Sequence, residues 1–131
     1  MKILFLTYDV PFPLNSGGKI RTHYLIKNLS QNHQITLFSY YRHEEQKRDV
    51  AEMEKYCARV MLFKRRPPWS WQNLARCFLS SLPFTAAVYY SDSLKKELMK
   101  ELKTNSYDLV HFESFYPALY LPLVKKLGAK T

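Results

Sequence analysis

The chain has 131 residues, 47% hydrophobic and 15% aromatic, enough apolar material for one domain with a buried core and too much for a disordered chain. Twenty Lys and Arg against eleven Asp and Glu leave a formal charge of +9, which favours acidic partners: nucleic acid, phosphorylated ligands or an anionic membrane surface. Three glycines exclude glycine-repeat architectures and a full dinucleotide fingerprint.

No stretch approaches the roughly 20 apolar residues that span a bilayer. The opening Met1-Lys2-Ile3-Leu4-Phe5-Leu6-Thr7 has too short an apolar run for a secretory leader and no small-residue cleavage site after it. It is expected to be the first strand of a cytoplasmic protein, with Cys57 and Cys77 reduced and structural.

Residues 3–7 form a continuous apolar run ended by turn residues, the pattern of a strand buried on both faces. Pro11 and Pro13 keep the following segment out of a helix. Residues 19–30 read as a helix with Ile20, Tyr24, Leu25 and Leu29 on its apolar face. Residues 34–40 read as a second strand, 44–56 as a charged helix packing through Val50, Met53 and Tyr56, and 59–64 as a third strand. Residues 65–71 read as a loop and 72–81 as a short helix stopped near Pro83. Ser91 or Asp92 can cap a helix reaching about Lys103, with Leu94, Leu98 and Leu102 along one stripe. A fourth strand follows at 107–112 and a helix at 116–127, with Gly128 suited to its C-cap.

Strands alternating with helices predict a Rossmann-like α/β fold, a three-layer parallel sheet covered on both faces. Ala129-Lys130-Thr131 sits where the next strand is due, so the sequence is expected to stop in mid-fold.

Gly17-Gly18 opens a helix directly after the first strand and its loop. A helix start presents unpaired N–H groups and the positive end of the dipole, so it can hold a phosphate, with Lys19 and Arg21 adding charge. The plainer reading is a loop that needs glycine's backbone freedom. Pro13 and Ile20 stand where a Walker A loop requires Gly and Ser or Thr. His111-Phe112-Glu113 closes the fourth strand, and period two puts His111 and Glu113 on one side, at the strand end where open α/β sheets bind ligands. The plainer reading there is polar groups that tie down the next loop. His23, His33 and His43 lack metal-ligand spacing, so no metal held by protein ligands alone is expected. Asp9 ends the first strand and reads as a loop cap. The segment Lys64-Arg65-Arg66-Pro67-Pro68-Trp69-Ser70-Trp71 joins a basic cluster to two indoles, a composition for anionic headgroups, a lipid-linked acceptor or single-stranded nucleic acid, or simply a solvated turn with its tryptophans tucked in.

Taken together, Pro11-Phe12-Pro13-Leu14-Asn15-Ser16-Gly17-Gly18-Lys19-Ile20-Arg21, then Leu25, Leu29 and His33-Gln34-Ile35-Thr36-Leu37, resemble the start of family 4 retaining glycosyltransferases, which have the two-domain GT-B fold. Tyr107-Asp108-Leu109-Val110-His111-Phe112-Glu113-Ser114 is similar to that family's later Asp-Val-Val-His-x-His strand, with Glu113 at the place of the second histidine. The resemblance implies transfer of a sugar from a nucleotide-sugar donor to a glycan or lipid-linked acceptor, with retention, with no covalent cofactor and usually without a metal. It assigns the donor diphosphate to Gly17 and Gly18, with Lys19 and Arg21 beside them, and the acceptor or reacting sugar to Glu113 and His111. Arg65, Arg66, Trp69 and Trp71 would form a membrane or acceptor surface, placing the protein peripherally on the inner face of a membrane. The C-terminal donor domain has no counterpart in these residues, so the chain is expected to be the acceptor-side half of a GT-B enzyme, inactive alone. A different-class alternative is a non-catalytic basic α/β module that docks on anionic membrane or nucleic acid through residues 64–71. A flavodoxin-like or response-regulator domain fits poorly, because no acidic cluster follows the first strand beyond Asp9.

Overall fold

The computed structural model describes residues 1–65, 67, 71, 75 and 88–131. Arg66, Trp69, Cys77 and most of the helix expected over 72–81 lie outside the described residues. Four strands, β1 (Lys2–Thr7), β2 (Gln34–Tyr41), β3 (Arg59–Lys64) and β4 (Leu109–Glu113), form one parallel sheet in the order β3-β2-β1-β4. Among the described residues, the helices with defined bounds are α1 (Gly17–Leu29), α2 (Val50–Glu54), α3 (Asp92–Thr104) and α4 (Leu121–Lys126). This is the Rossmann-like α/β arrangement that the alternation of elements predicts.

Successive strand residues point to opposite faces, and the apolar runs divide accordingly. Ile3, Phe5, Ile35 and Leu37 pack with Ile26 of α1 and Met53 of α2 on one face. Leu4, Leu6, Phe38, Tyr40, Phe63 and Val110 pack with Leu94 and Leu98 of α3 and Val124 of α4 on the other. Each such large apolar side chain, fully buried, contributes roughly 1.5–3 kcal/mol. The two covered faces leave the ends of the strands as the open surfaces.

Local chemistry sets the element ends. Ser16 caps α1, its hydroxyl accepting from the Lys19 amide, so the helix starts two residues before the expected one. Ser91 caps α3 through the Leu94 amide. After α4, Gly128 adopts φ +75° while its amide donates to Lys125 and that of Ala129 to Val124, a Schellman motif. The Lys130 carbonyl accepts from the Val110 amide at 2.8 Å, beside β4.

Four expectations change. The helix expected over 44–56 is a 3-10 turn at Glu44–Lys47 followed by the short α2. The Gln46 side chain folds back to accept the Arg42 and His43 amides at 2.7 and 3.1 Å, which closes the first turn. The helix expected over 116–127 begins with a 3-10 turn at Pro117–Tyr120, because Pro122 has no N–H to continue an α-helix across that junction. The fourth strand spans Leu109–Glu113 instead of residues 107–112. On α1, Leu25 and Leu29 pack against the core as expected, but Ile20 and Tyr24 are 41% and 49% exposed, and the fully buried residues are Thr22, His23 and Ile26.

Candidate functional site

The chain moves from β1 outward to β2 and β3, then returns to place β4 on the other side of β1. The strand order therefore reverses between β1 and β4, whose last residues, Thr7 and Glu113, are register partners. Open α/β sheets bind ligands beyond the carboxyl ends of strands at such a reversal. The N-terminus of α1 enters the same region.

Glu113 is buried, with 6% of its side chain exposed, and both carboxylate oxygens are engaged. Oε1 accepts from Arg21 Nη2, and Oε2 lies 3.1 Å from His111 Nε2. The expected placement of His111 and Glu113 on one side of β4 is observed. His111 is held from behind by the Phe5 ring, with centroids 4.3 Å apart. A carboxylate accepting at Nε2 places the imidazole proton there. Arg21 is 71% exposed, so the rest of its guanidinium faces solvent. Glu113 thus works as an anchor that orients a guanidinium and an imidazole at the mouth of the crevice. Those two groups, more than the carboxylate, are available to bind an anion or a hydroxyl.

At the start of α1, Ser16 takes the amide of Lys19 with its side chain and that of Ile20 with its carbonyl. Gly17 and Gly18, both exposed, form the open first turn. A Cβ on Gly17 would meet nothing, whereas one on Gly18 would lie 2.6 Å from the Tyr8 hydroxyl. Gly18 therefore makes room for Tyr8, a residue the sequence did not single out. Lys19 turns back into the β1 loop, its Nζ 3.4 Å from the Phe12 carbonyl and 3.7 Å from Asp9 Oδ2. Asp9 has the expected loop-capping role: its Oδ1 accepts from the Val10 amide and from Gln46 Nε2, each at 3.0 Å.

Two further features mark the crevice. Thr7 Oγ1 and Ser114 Oγ are buried and lack hydrogen-bond partners. Ser114 also holds φ at +87°, a conformation that a serine adopts at a cost of about 1–3 kcal/mol. Strained backbone immediately after Glu113 is a signal no sequence pattern carries, since position 114 holds neither Gly nor Asn.

Arg65 and Trp71, expected on one surface, differ in setting. Arg65 is half-buried, with its Cζ 3.9 Å above the Tyr89 ring centroid, while Trp71 is 81% exposed. Desolvation raises several phenols near the strand ends: Tyr40 well above its ordinary value and Tyr120 to about 12, with the Tyr40 and Tyr120 hydroxyls 2.9 Å apart. Burial alone lifts the Cys57 thiol to about 12, keeping it protonated and inert. No cluster of His, Cys, Asp and Glu suited to a metal ion occurs among the described residues. None of the described helices is long and apolar enough to cross a membrane.

No protein-family model, curated protein or solved structure matches the chain.

Proposed function

We propose that this chain is the acceptor-side domain of a retaining glycosyltransferase of the family 4 type, acting with a nucleotide-sugar donor on a glycan or lipid-linked acceptor. The observation that carries the reading is one juxtaposition: the glycine-started α1 and the Arg21–Glu113–His111 cluster share the switch point of the sheet. The exposed amides of Gly17 and Gly18 and the Arg21 guanidinium suit a departing diphosphate, whose developing charge is what such a reaction must stabilise. The imidazole of His111, braced by Glu113 and Phe5, suits a hydroxyl of the sugar. Lys19, tied to Asp9 and Phe12, contributes charge at a distance and no direct contact.

The test is an amide-resolved NMR titration of the chain with inorganic pyrophosphate and with uridine diphosphate. Saturable shifts at Gly17, Gly18 and Arg21 are expected, and their absence would remove the donor role from α1. In an enzyme containing this chain, Glu113→Gln is expected to lower kcat more than it weakens donor binding. Unchanged kcat would leave Glu113 a purely structural anchor.

One observation favours the alternative of a basic docking module: the high exposure of Trp71. Loss of vesicle co-sedimentation in Trp71→Ala, with no response to pyrophosphate, is the outcome that would select it.

A further inference from the structure

Arg65 follows β3 and lies at the carboxyl edge of the sheet. Its amide donates to the Tyr41 carbonyl at 2.8 Å, which extends the β2–β3 pairing by one step and fixes its backbone. Its guanidinium lies on Tyr89, which stacks on Tyr116 with centroids 4.0 Å apart and planes 20° apart. The Tyr89 carbonyl in turn accepts from the Tyr40 hydroxyl. Arg65 is therefore seated on a braced aromatic pair that reaches from the end of β3 toward the end of β4.

Arg65 Nε and Nη1 are buried and have no hydrogen-bond partner. Leaving a buried donor unmatched is costly, and more so when the group is charged. The cation–π contact offsets part of that cost and supplies no in-plane acceptor. Asp9 acts on Arg65 electrostatically, but its oxygens are committed to Val10, Gln46 and Lys19. Arg42, just beyond β2, adds a second positive charge, and desolvation with that repulsion holds the Arg65 pKa below its ordinary value. A cleft of about 330 Å³ opens beside Arg65, bordered also by Lys64, Pro67, Ser91, Asp92 and Ser93. Lys64 is already paired with Glu44.

We propose that Arg65, seated on Tyr89, forms an anion subsite for a phosphoryl group beyond the carboxyl end of β3. A phosphoryl group carries several acceptor oxygens, enough to engage more than one guanidinium nitrogen at once. The subsite is separate from the Gly17–Gly18 turn and would hold a phosphate belonging to a second ligand. Taking that ligand as a phosphorylated acceptor rests on the glycosyltransferase reading. The subsite itself does not.

The experiment follows the side-chain Nε–H resonance of Arg65 in the full chain, assigned by its loss in Arg65→Met, during titration with inorganic phosphate at constant ionic strength. A saturable shift is expected, with phosphate affinity reduced about tenfold or more in Arg65→Met. Arg65→Lys, which keeps the charge and loses the fork, should fall between. Without phosphate, Arg65→Met is expected to melt at or above the wild-type Tm, and phosphate should raise only the wild-type Tm. An Nε–H resonance unmoved by phosphate together with equal vesicle sedimentation of both proteins, or a lower Tm in Arg65→Met with an equal phosphate response in both proteins, would make Arg65 a structural prop and overturn the subsite. A second arm uses vesicles of equal parts phosphatidylcholine and phosphatidylglycerol. Sedimentation of the wild type but not of Arg65→Met, with a silent response to inorganic phosphate, supports the subsite and places the phosphoryl group on a lipid. If neither probe engages Arg65 while Gly17 and Gly18 still respond to pyrophosphate, the subsite fails and the glycosyltransferase reading stands. The opposite pattern separates them the other way.

Discussion

Arg21 and Glu113 stand 92 positions apart in the chain, yet the guanidinium of the first donates to the buried carboxylate of the second. The pair joins the second turn of α1 to the last residue of β4 and thereby sets the width of the crevice between them. Its two halves differ sharply in burial, 71% against 6% side-chain exposure, and that asymmetry governs how each should respond to substitution.

Arg21→Ala leaves a buried carboxylate with His111 as its remaining partner, whereas Glu113→Gln leaves an exposed guanidinium that water can satisfy. Arg21→Ala should therefore cost about 2 kcal/mol and Glu113→Gln about 1 kcal/mol. Urea unfolding of both variants and the double mutant measures the order and the coupling. Equal losses would mean the pair is solvated in practice.

The two glycines should separate. Gly17→Ala meets open space and removes a flexible residue from a helix, so a gain of up to about 0.5 kcal/mol is expected. Gly18→Ala must displace the Tyr8 hydroxyl, the free end of a rotatable side chain, so the loss should stay near 1 kcal/mol and be relieved by Tyr8→Phe. Thermal melts of the three variants decide it, and a Gly18→Ala loss untouched by Tyr8→Phe would contradict this packing.

Ser114 offers a gain. Glycine adopts φ near +87° without strain, and the serine hydroxyl is buried without a partner. Ser114→Gly should stabilise the protein by about 1 kcal/mol, while Ser114→Ala, which keeps the strained backbone, should gain less. Equal Tm values for the two variants would show that the backbone is relaxed.

Alkaline pH should weaken the fold. Tyr40 and Tyr120 in the native state hold their protons above the ordinary 10.0, and Cys57 above 9.0. The unfolded chain therefore loses these protons first, so the stabilisation is complete below about pH 9 and declines as pH rises toward about 12. Each unit above 10 costs up to about 1.4 kcal/mol per buried phenol. Urea midpoints measured from neutral pH to about pH 11 should fall, and the slope should be shallower in Tyr40→Phe. A flat profile would mean that these groups titrate normally in the native state.

The strands were legible from local pattern because a parallel strand covered on both faces is close to continuously apolar, as residues 3–6 are and as residues 35–38 are apart from the buried Thr36. The Leu94–Leu98 stripe, the Ser91 cap and the Gly128 stop were legible for the same reason: each acts within one or two helical turns. The break between Glu44–Lys47 and α2 was not, since it depends on where the Gln46 side chain finds acceptor work. Nor was the burial of Thr22 and His23 on α1, polar residues that the sheet beneath the helix covers while Ile20 and Tyr24 stay exposed.

Sequence alone determined the parallel α/β class, the glycine start of α1, and the shared side of His111 and Glu113, because these follow from period, capping and chain direction. Tertiary structure decided that Arg21 closes on Glu113, that Tyr8 occupies the space over Gly18, and that Arg65 turns onto Tyr89. Those contacts form only when the strand order reverses between β1 and β4 and brings distant loops to one edge. Their energies depend on burial and on the loss of competing water, which are properties of the assembled sheet and of no segment within it.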